Sequence, residues 1–277
     1  MESLISIIIP CYNDWQYVEQ AVHSALNQTY GNKEIIVVDD GSNDKTKEVL
    51  KRLESKITKL ITQENQGQST ARNRGIEAAN GDYILVLDSD DFFEPTFCEK
   101  AITVFKNNLD SKLVSCQANL ISENNKTTLF KPIGGTVKNF LFSNAALGTS
   151  MFKKEDWNNC GRYDETMKKG FEDWEFFIRL LKVEGSAEII QEPLYNYRKR
   201  NNSTTAKANT NKYELLSYIF TKHKELYISN YNLFVDNLLT RTQREEQEKL
   251  KNLKSIEYKL GSILLRPLRL IKRIFKK

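Results

Sequence analysis

A chain of 277 residues with 40% hydrophobic and 28% charged residues, only 12 Gly and 5 Pro, can bury a sizeable core and excludes a largely disordered protein. Its four cysteines, Cys11, Cys98, Cys116 and Cys160, form no Cys-x-x-Cys pair and have no histidine at zinc-finger spacing, so free thiols in a reducing compartment are expected. The net charge of +5 is uneven: from Arg241 onward 12 Lys/Arg stand against 4 Asp/Glu, giving the tail +8 and the first 240 residues −3.

The apolar run at residues 4–9 predicts a short buried strand. It lacks the basic leader and cleavage site of a signal peptide, and no run of 18 apolar residues occurs anywhere. A cytoplasmic protein, dissolved or lying on a surface, is the expectation. A helix is predicted over about residues 14–28, with Val18, Ala21, Val22, Ala25 and Leu26 on one face. Strands follow at 34–38, 59–62 and 83–87, separated by helices at about 44–53 and 69–79. Strict β-α alternation predicts an α/β fold, a parallel sheet with helices on both sides. Two of its strands end in acidic clusters, Asp39-Asp40 and Asp88-Ser89-Asp90-Asp91, and ligands of such sheets bind beyond the carboxyl ends of the strands. Further on, residues 113–116 read as a strand and 172–182 as a helix. After about Thr210 the chain turns helical and polar. Domains are therefore expected at 1–210 and 211–277.

Several motifs stand in a fixed order along the chain. They are Ile7-Ile8-Ile9-Pro10-Cys11-Tyr12-Asn13, Val37-Val38-Asp39-Asp40-Gly41-Ser42, Asn65-Gln66-Gly67 with Ala71-Arg72-Asn73, Gly81-Asp82-Tyr83 leading to Asp88-Ser89-Asp90-Asp91, and Glu172-Asp173-Trp174. Together they resemble family 2 glycosyltransferases of bacterial cell-surface glycan type. These are inverting enzymes with a GT-A fold, and the likeness covers about residues 4–205. The resemblance implies a Rossmann-like, mostly parallel sheet, here followed by a C-terminal helical extension. It implies a UDP-sugar donor held by Pro10, Tyr12, Asn13, Asp40, Arg72, Asp88 and Ser89, with Asp90 binding Mn²⁺ or Mg²⁺ and Asp173 as the catalytic base. Glu172 and Trp174 would orient the acceptor.

The residue types suit that chemistry. Tyr12 offers a flat face to a base, Asp40 accepts from a ring N–H or hydroxyl, and Arg72 pairs with a diphosphate. Hard carboxylates suit a divalent cation that neutralises the leaving group. Inversion by single displacement needs one carboxylate to take the acceptor proton, unlike the paired carboxylates of a retaining glycosidase. Plainer roles stay open: Tyr12 as a packing ring, Asp40 as a turn residue, Asp88 to Asp90 as a helix cap, and Glu172-Asp173 as acids favouring a helix start. The family often carries Tyr-Arg-x-His then Ser after its last strand. Here the stretch is Tyr197-Arg198-Lys199-Arg200-Asn201-Asn202-Ser203. Either Asp90, phosphates and water hold the metal, or Arg200 itself steadies the diphosphate. A silent nucleotide-sugar-binding module on the same fold is the alternative function. A pyrophosphorylase or a dinucleotide-dependent dehydrogenase is excluded, because no glycine-rich loop follows the first strand.

Residues 259–277 alternate apolar side chains (Leu260, Ile263, Leu264, Leu268, Ile271, Ile274, Phe275) with Lys and Arg at helical spacing. Such a helix suits an anionic membrane interface, with Pro267 kinking it or starting a new turn. Docking on its own domain or on a partner is the other reading, and no nucleic acid is expected. Membrane contact fits a glycan acceptor linked to polyprenyl diphosphate on the cytoplasmic face.

Overall fold

A computed structural model describes residues 2–200 and 208–274, with side chains described as far as Leu265. The first half of the sheet centres on β1 (Ile5–Cys11), in which all seven residues are buried. Parallel neighbours β2 (Lys33–Asp40) and β4 (Tyr83–Val86) flank it, and β3 (Lys59–Gln63) lies outside β2. A run of isoleucines suits this place, since a strand covered on both faces has no polar side to alternate with. Three helices make the crossovers: α1 (Val18–Leu26), α2 (Asp44–Leu53) and α3 (Gln68–Glu77). Gly75 lets α3 press against the sheet, because a Cβ there would stand 2.4 Å from Ile8 Cγ2 and 3.1 Å from Val38 Cγ2.

Two of the boundary shifts bear on the site. β2 runs on through Asp39 and Asp40, which pair with Thr62 and Gln63 of β3. α1 begins at Val18 rather than near Asp14, because Asn13 is left-handed (φ 60°) and Asp14 to Tyr17 form a turn whose carbonyl at Asp14 takes the amides of Tyr17 and Val18.

The second half is mixed and lies beyond the strictly alternating first four strands. It comprises β5 (Phe92–Phe93), α4 (Phe97–Asn107), β6 (Ser111–Ile121), β7 (Thr127–Phe130), α5 (Val137–Phe140), β8 (Met151–Lys153), α6 (Lys154–Asn159), α7 (Glu172–Leu181) and β9 (Ser186–Arg198). Across the sheet the order is β3-β2-β1-β4-β8-β6-β9-β5, with β7 pairing β6. β8 is antiparallel to both β4 and β6, so β6 and its parallel partner β9 regain the direction of β1. The carboxyl ends of β1, β2, β4 and β9 therefore share one edge. α7 leads into β9, and its first turn lies on that same edge.

α7 is anchored from behind by α8 (Lys212–Lys222). Glu175 has no exposed surface and accepts from Arg179 at 2.7 Å, while His223 Nε2 and Lys222 Nζ each lie 3.0 Å away. Burial works to raise the pKa of Glu175, but His223 and Arg179 outweigh it and bring it down to about 2. Breaking such a buried pair from one side costs about 3–5 kcal/mol.

Contacts divide the chain into two compact units, Met1–Lys224 and Glu225–Lys277. The second contains most of α9 (Lys224–Ser229), then α10 (Tyr231–Lys254) and α11 (Ile256–Ile274). α10 buries no residue, and on α11 Ile256, Leu260, Ile263, Leu264 and Leu265 are exposed. Leu268, Ile271, Ile274 and Phe275 of the expected stripe, and Ser203 after β9, lie outside the described side chains. Among the described residues no helix is long and apolar enough to cross a membrane.

Candidate active site

Four loops meet at the carboxyl edge. Pro10 is buried in β1, and Tyr12 just beyond it leaves 51% of its surface exposed. Asn13 joins this loop to the next: its amide donates to Ser42 Oγ at 3.1 Å, and its Oδ1 accepts from the Asn43 amide at 2.8 Å. At the end of β2, Asp40 is buried and accepts from three protein donors. Its Oδ1 accepts from Gln63 Nε2 at 2.7 Å and the Gln66 amide at 2.8 Å; its Oδ2 accepts from the Gly67 amide at 2.9 Å. Gly67 holds φ 98°, a conformation in which a side chain would be strained, and opens α3.

Arg72 on α3 is the centre of the site. Only 2% of its side chain is exposed. Nη2 donates to Asp88 Oδ1 at 2.9 Å and Nη1 to Glu172 Oε1 at 2.7 Å. Its guanidinium lies 5.4 Å from the Tyr163 ring centre. Burial opposes its charge, but Asp88 and Glu172 hold its proton more tightly than usual. Gln68, one turn earlier, donates to the same Asp88 oxygen at 3.0 Å.

Asp173 follows Glu172 and is half-buried. Its Oδ2 accepts from Asn144 Nδ2 at 2.8 Å. Gly148 stands so close that a Cβ there would fall 2.6 Å from the same oxygen. Burial raises the pKa of Asp173 and Asp88 raises it further, with Arg72 working against both. Glu172 is raised by burial too, again opposed by Arg72. Trp174 turns inward: it is 4% exposed and its indole N–H donates to the Phe140 carbonyl at 2.5 Å.

After β4 the side chains of Asp88 and Asp90 are 25% and 16% exposed. Burial, and then Asp88, push Asp90 up to about 6, against the pull of Arg200. Arg200 pairs with Asp90 and donates to Asp14 Oδ1 at 2.8 Å; Ser89 Oγ donates to Asp14 Oδ2 at 2.6 Å. Asp91 serves the framework, accepting from Tyr195 OH at 2.6 Å and the Arg198 amide at 2.7 Å.

The expected residues thus fall on one edge, in two linked sets: Arg72 with Asp88, Glu172 and its neighbour Asp173, and Arg200 with Asp90. Trp174 lies in the interior behind them. Asp14, Asn144, Gly148, Gln68 and Tyr163 were not expected. Asp14, next to Asn13, carried the one usable signal, a carboxylate in the loop after a buried strand. A groove of about 740 Å³ opens elsewhere, at the amino ends of β1 and β4, lined by Gly81, Tyr83, Lys153 and Arg162. It holds none of these residues.

A mostly parallel curled sheet flanked by helices, with acidic strand ends on one edge, defines the GT-A class of fold. The chain belongs to glycosyl transferase family 2, whose profile matches residues 6–162. It is 44% identical over 108 residues to an uncharacterized glycosyltransferase of Haemophilus influenzae, covering 38% of this chain and 43% of that one. It is 28% identical over 286 residues to the chondroitin synthase of Pasteurella multocida, covering 95% of this chain and 28% of the synthase. The chain thus spans less than half the length of either relative. Among solved structures, TarS residues 1–349 of S. aureus in complex with UDP-GlcNAc superposes with a TM-score of 0.62 at 19% identity, over 73% of this chain and 60% of that one.

Proposed function

We propose that the protein is an inverting hexosyltransferase. It moves a hexose or N-acetylhexosamine from a UDP-sugar to a glycan acceptor, lipid-linked, in cell-surface polysaccharide synthesis. The observation that carries this reading is Arg72, which binds both Asp88, 16 residues on and just past β4, and Glu172, 100 residues on and the neighbour of Asp173. The UDP-GlcNAc bound by TarS and the chondroitin synthase relative support the donor class and the glycan acceptor.

In this reading Tyr12 and Asp40, with Pro10 and Asn13, seat the uracil, and Asp88 and Ser89 adjoin the ribose. Arg72 and Arg200 supply positive charge to the diphosphate. Asp173 takes the acceptor hydroxyl's proton as that oxygen attacks C1 and UDP leaves from the opposite face. Its raised pKa makes it a stronger base than a free aspartate. Glu172 and Trp174, tied to Arg72 and Phe140, fix the turn that presents Asp173 to the acceptor.

Asp90 suits a divalent cation: it is a desolvated carboxylate crowded by Asp88, and a cation would relieve that crowding. Among the described residues no group of three or more His, Cys, Asp or Glu is arranged to hold a metal. Asp90 would therefore be the protein's carboxylate ligand, with phosphate and water oxygens completing the shell. Mg²⁺ or Mn²⁺ bound there would neutralise the diphosphate leaving group as a Lewis acid. The exposed apolar side chains of α11 and the basic tail are proposed to rest on the cytoplasmic membrane face, where a lipid-linked acceptor lies.

Incubation with a panel of UDP-sugars and Mn²⁺, reading released UDP, tests the reaction. One sugar should stand out. Asp173→Asn should cut turnover by about 10²–10⁴-fold and leave UDP affinity within about twofold. Loss of UDP binding in that variant would remove Asp173 from the role of base.

A further inference from the structure

Arg200 lies just past β9 and closes a bridge between two loops. Its Nη1 reaches Asp14 in the turn before α1 at 2.8 Å, and its Nη2 forms a close ion pair with Asp90 Oδ2 beyond β4. The guanidinium covers the Tyr17 ring at 5.4 Å, a ring also covered by Arg198 at 5.1 Å. Arg198 donates to the Asp90 carbonyl and to Gln20 Oε1. Two cations, one ring and two carboxylates thus interlock. The Asp14 and Asp90 side chains are only 14% and 16% exposed, whereas Arg200 is 34% exposed.

Asp90 is also the carboxylate assigned above to a divalent cation, and the inference rests on that reading. A guanidinium on one Asp90 oxygen cancels the charge that draws the metal and repels the metal itself. We propose that Arg200 and the divalent cation compete for Asp90. In the donor-free protein Arg200 ties Asp90 to Asp14. When the metal arrives with the donor, Arg200 leaves Asp90 and turns to the diphosphate. Arginine suits the exchange, since its planar fork pairs with phosphate as well as with carboxylate. Among the described residues its buried Nε has no hydrogen-bond partner, so the guanidinium keeps an unused donor. Asp14 meanwhile keeps the Ser89 hydroxyl at 2.6 Å, so release of Arg200 does not strand it.

The test is a Mn²⁺ titration of the full chain without donor, with free Mn²⁺ read by electron paramagnetic resonance. Arg200→Gln should bind Mn²⁺ about tenfold more tightly than the unaltered protein, within the range usual for coupled sites. Arg200→Lys keeps a cation but not the two-pronged bridge, and should fall between the two. Asp90→Asn should abolish the binding in either background. Equal or weaker Mn²⁺ binding by Arg200→Gln overturns the competition; if that variant does not fold, equal binding by Arg200→Lys does so. In parallel, calorimetry with UDP at saturating Mn²⁺ should show about tenfold weaker binding by Arg200→Gln. Unchanged UDP affinity there overturns the turn toward the diphosphate. Failure of the unaltered protein to bind UDP would instead remove the donor-site reading, while the Mn²⁺ order would still decide the competition.

Discussion

Two arginines in this chain each hold a pair of acidic side chains, one beneath the site and one at its mouth. Arg72 is 2% exposed and joins Asp88 to Glu172; Arg200 is 34% exposed and joins Asp14 to Asp90. The pairings look alike, but their surroundings set different consequences. Beneath the site water cannot replace a lost partner, so the bridge is part of the framework. At the mouth water and salt compete with the ion pair, so the bridge is exchangeable. A site that, as proposed, holds a base still and yet admits a charged donor has use for both kinds.

The largest expected effect breaks the inner bridge. Arg72→Met leaves Asp88 and Glu172 facing each other unpaired and should destabilise the protein by about 3–5 kcal/mol, read by urea denaturation. Next comes Asp173, the proposed base, whose neighbour Glu172 is held by that bridge. Gly148→Ala would crowd Asp173 Oδ2 and should lower turnover about 10²-fold, with UDP affinity unchanged in calorimetry. A smaller effect concerns Asp90 and is readable in melting temperature against pH. Its folded pKa of about 6 lies above the ordinary 3.8, so the folded chain binds that proton more tightly than the unfolded chain. The stability it contributes is full below pH 3.8 and is lost as pH rises through 6. Asp90→Asn should accordingly raise the melting temperature by a few degrees at pH 7, and the gain should vanish toward pH 4. Smallest is Arg200→Gln, which should cost at most about 1 kcal/mol in stability, less at high salt. A loss as large as that of Arg72→Met would erase the distinction between the two bridges.

How much of this was legible varies along the chain for physical reasons. α2 falls on the expected residues because Asn43 caps it, accepting from the Thr46 amide at 3.0 Å, and Val49, Leu50 and Leu53 mark one face. α4 was missed although Phe97, Ala101, Ile102 and Phe105 are buried. Those residues recur at helical spacing, so the period was there to read, but its aromatic and β-branched residues lend it only weak helix propensity. β5 and β8, two and three residues long, are too short to show any period. The site's acids were visible as strand-end clusters and by family resemblance. Their partners were not, because the contacts join residues 100 apart for Arg72 and Glu172 and 186 apart for Arg200 and Asp14. Nothing local in a sequence encodes such pairings.

The segment between α5 and β8 bears on engineering. Residues 141–150 carry both Asn144, which donates to the proposed base Asp173, and Gly148, which leaves room for it. The Ser115 hydroxyl of β6 accepts from the Leu147 amide at 3.2 Å and fixes the segment between them. A designer who transplants this loop from a relative to change the acceptor would move the alignment of the base with it.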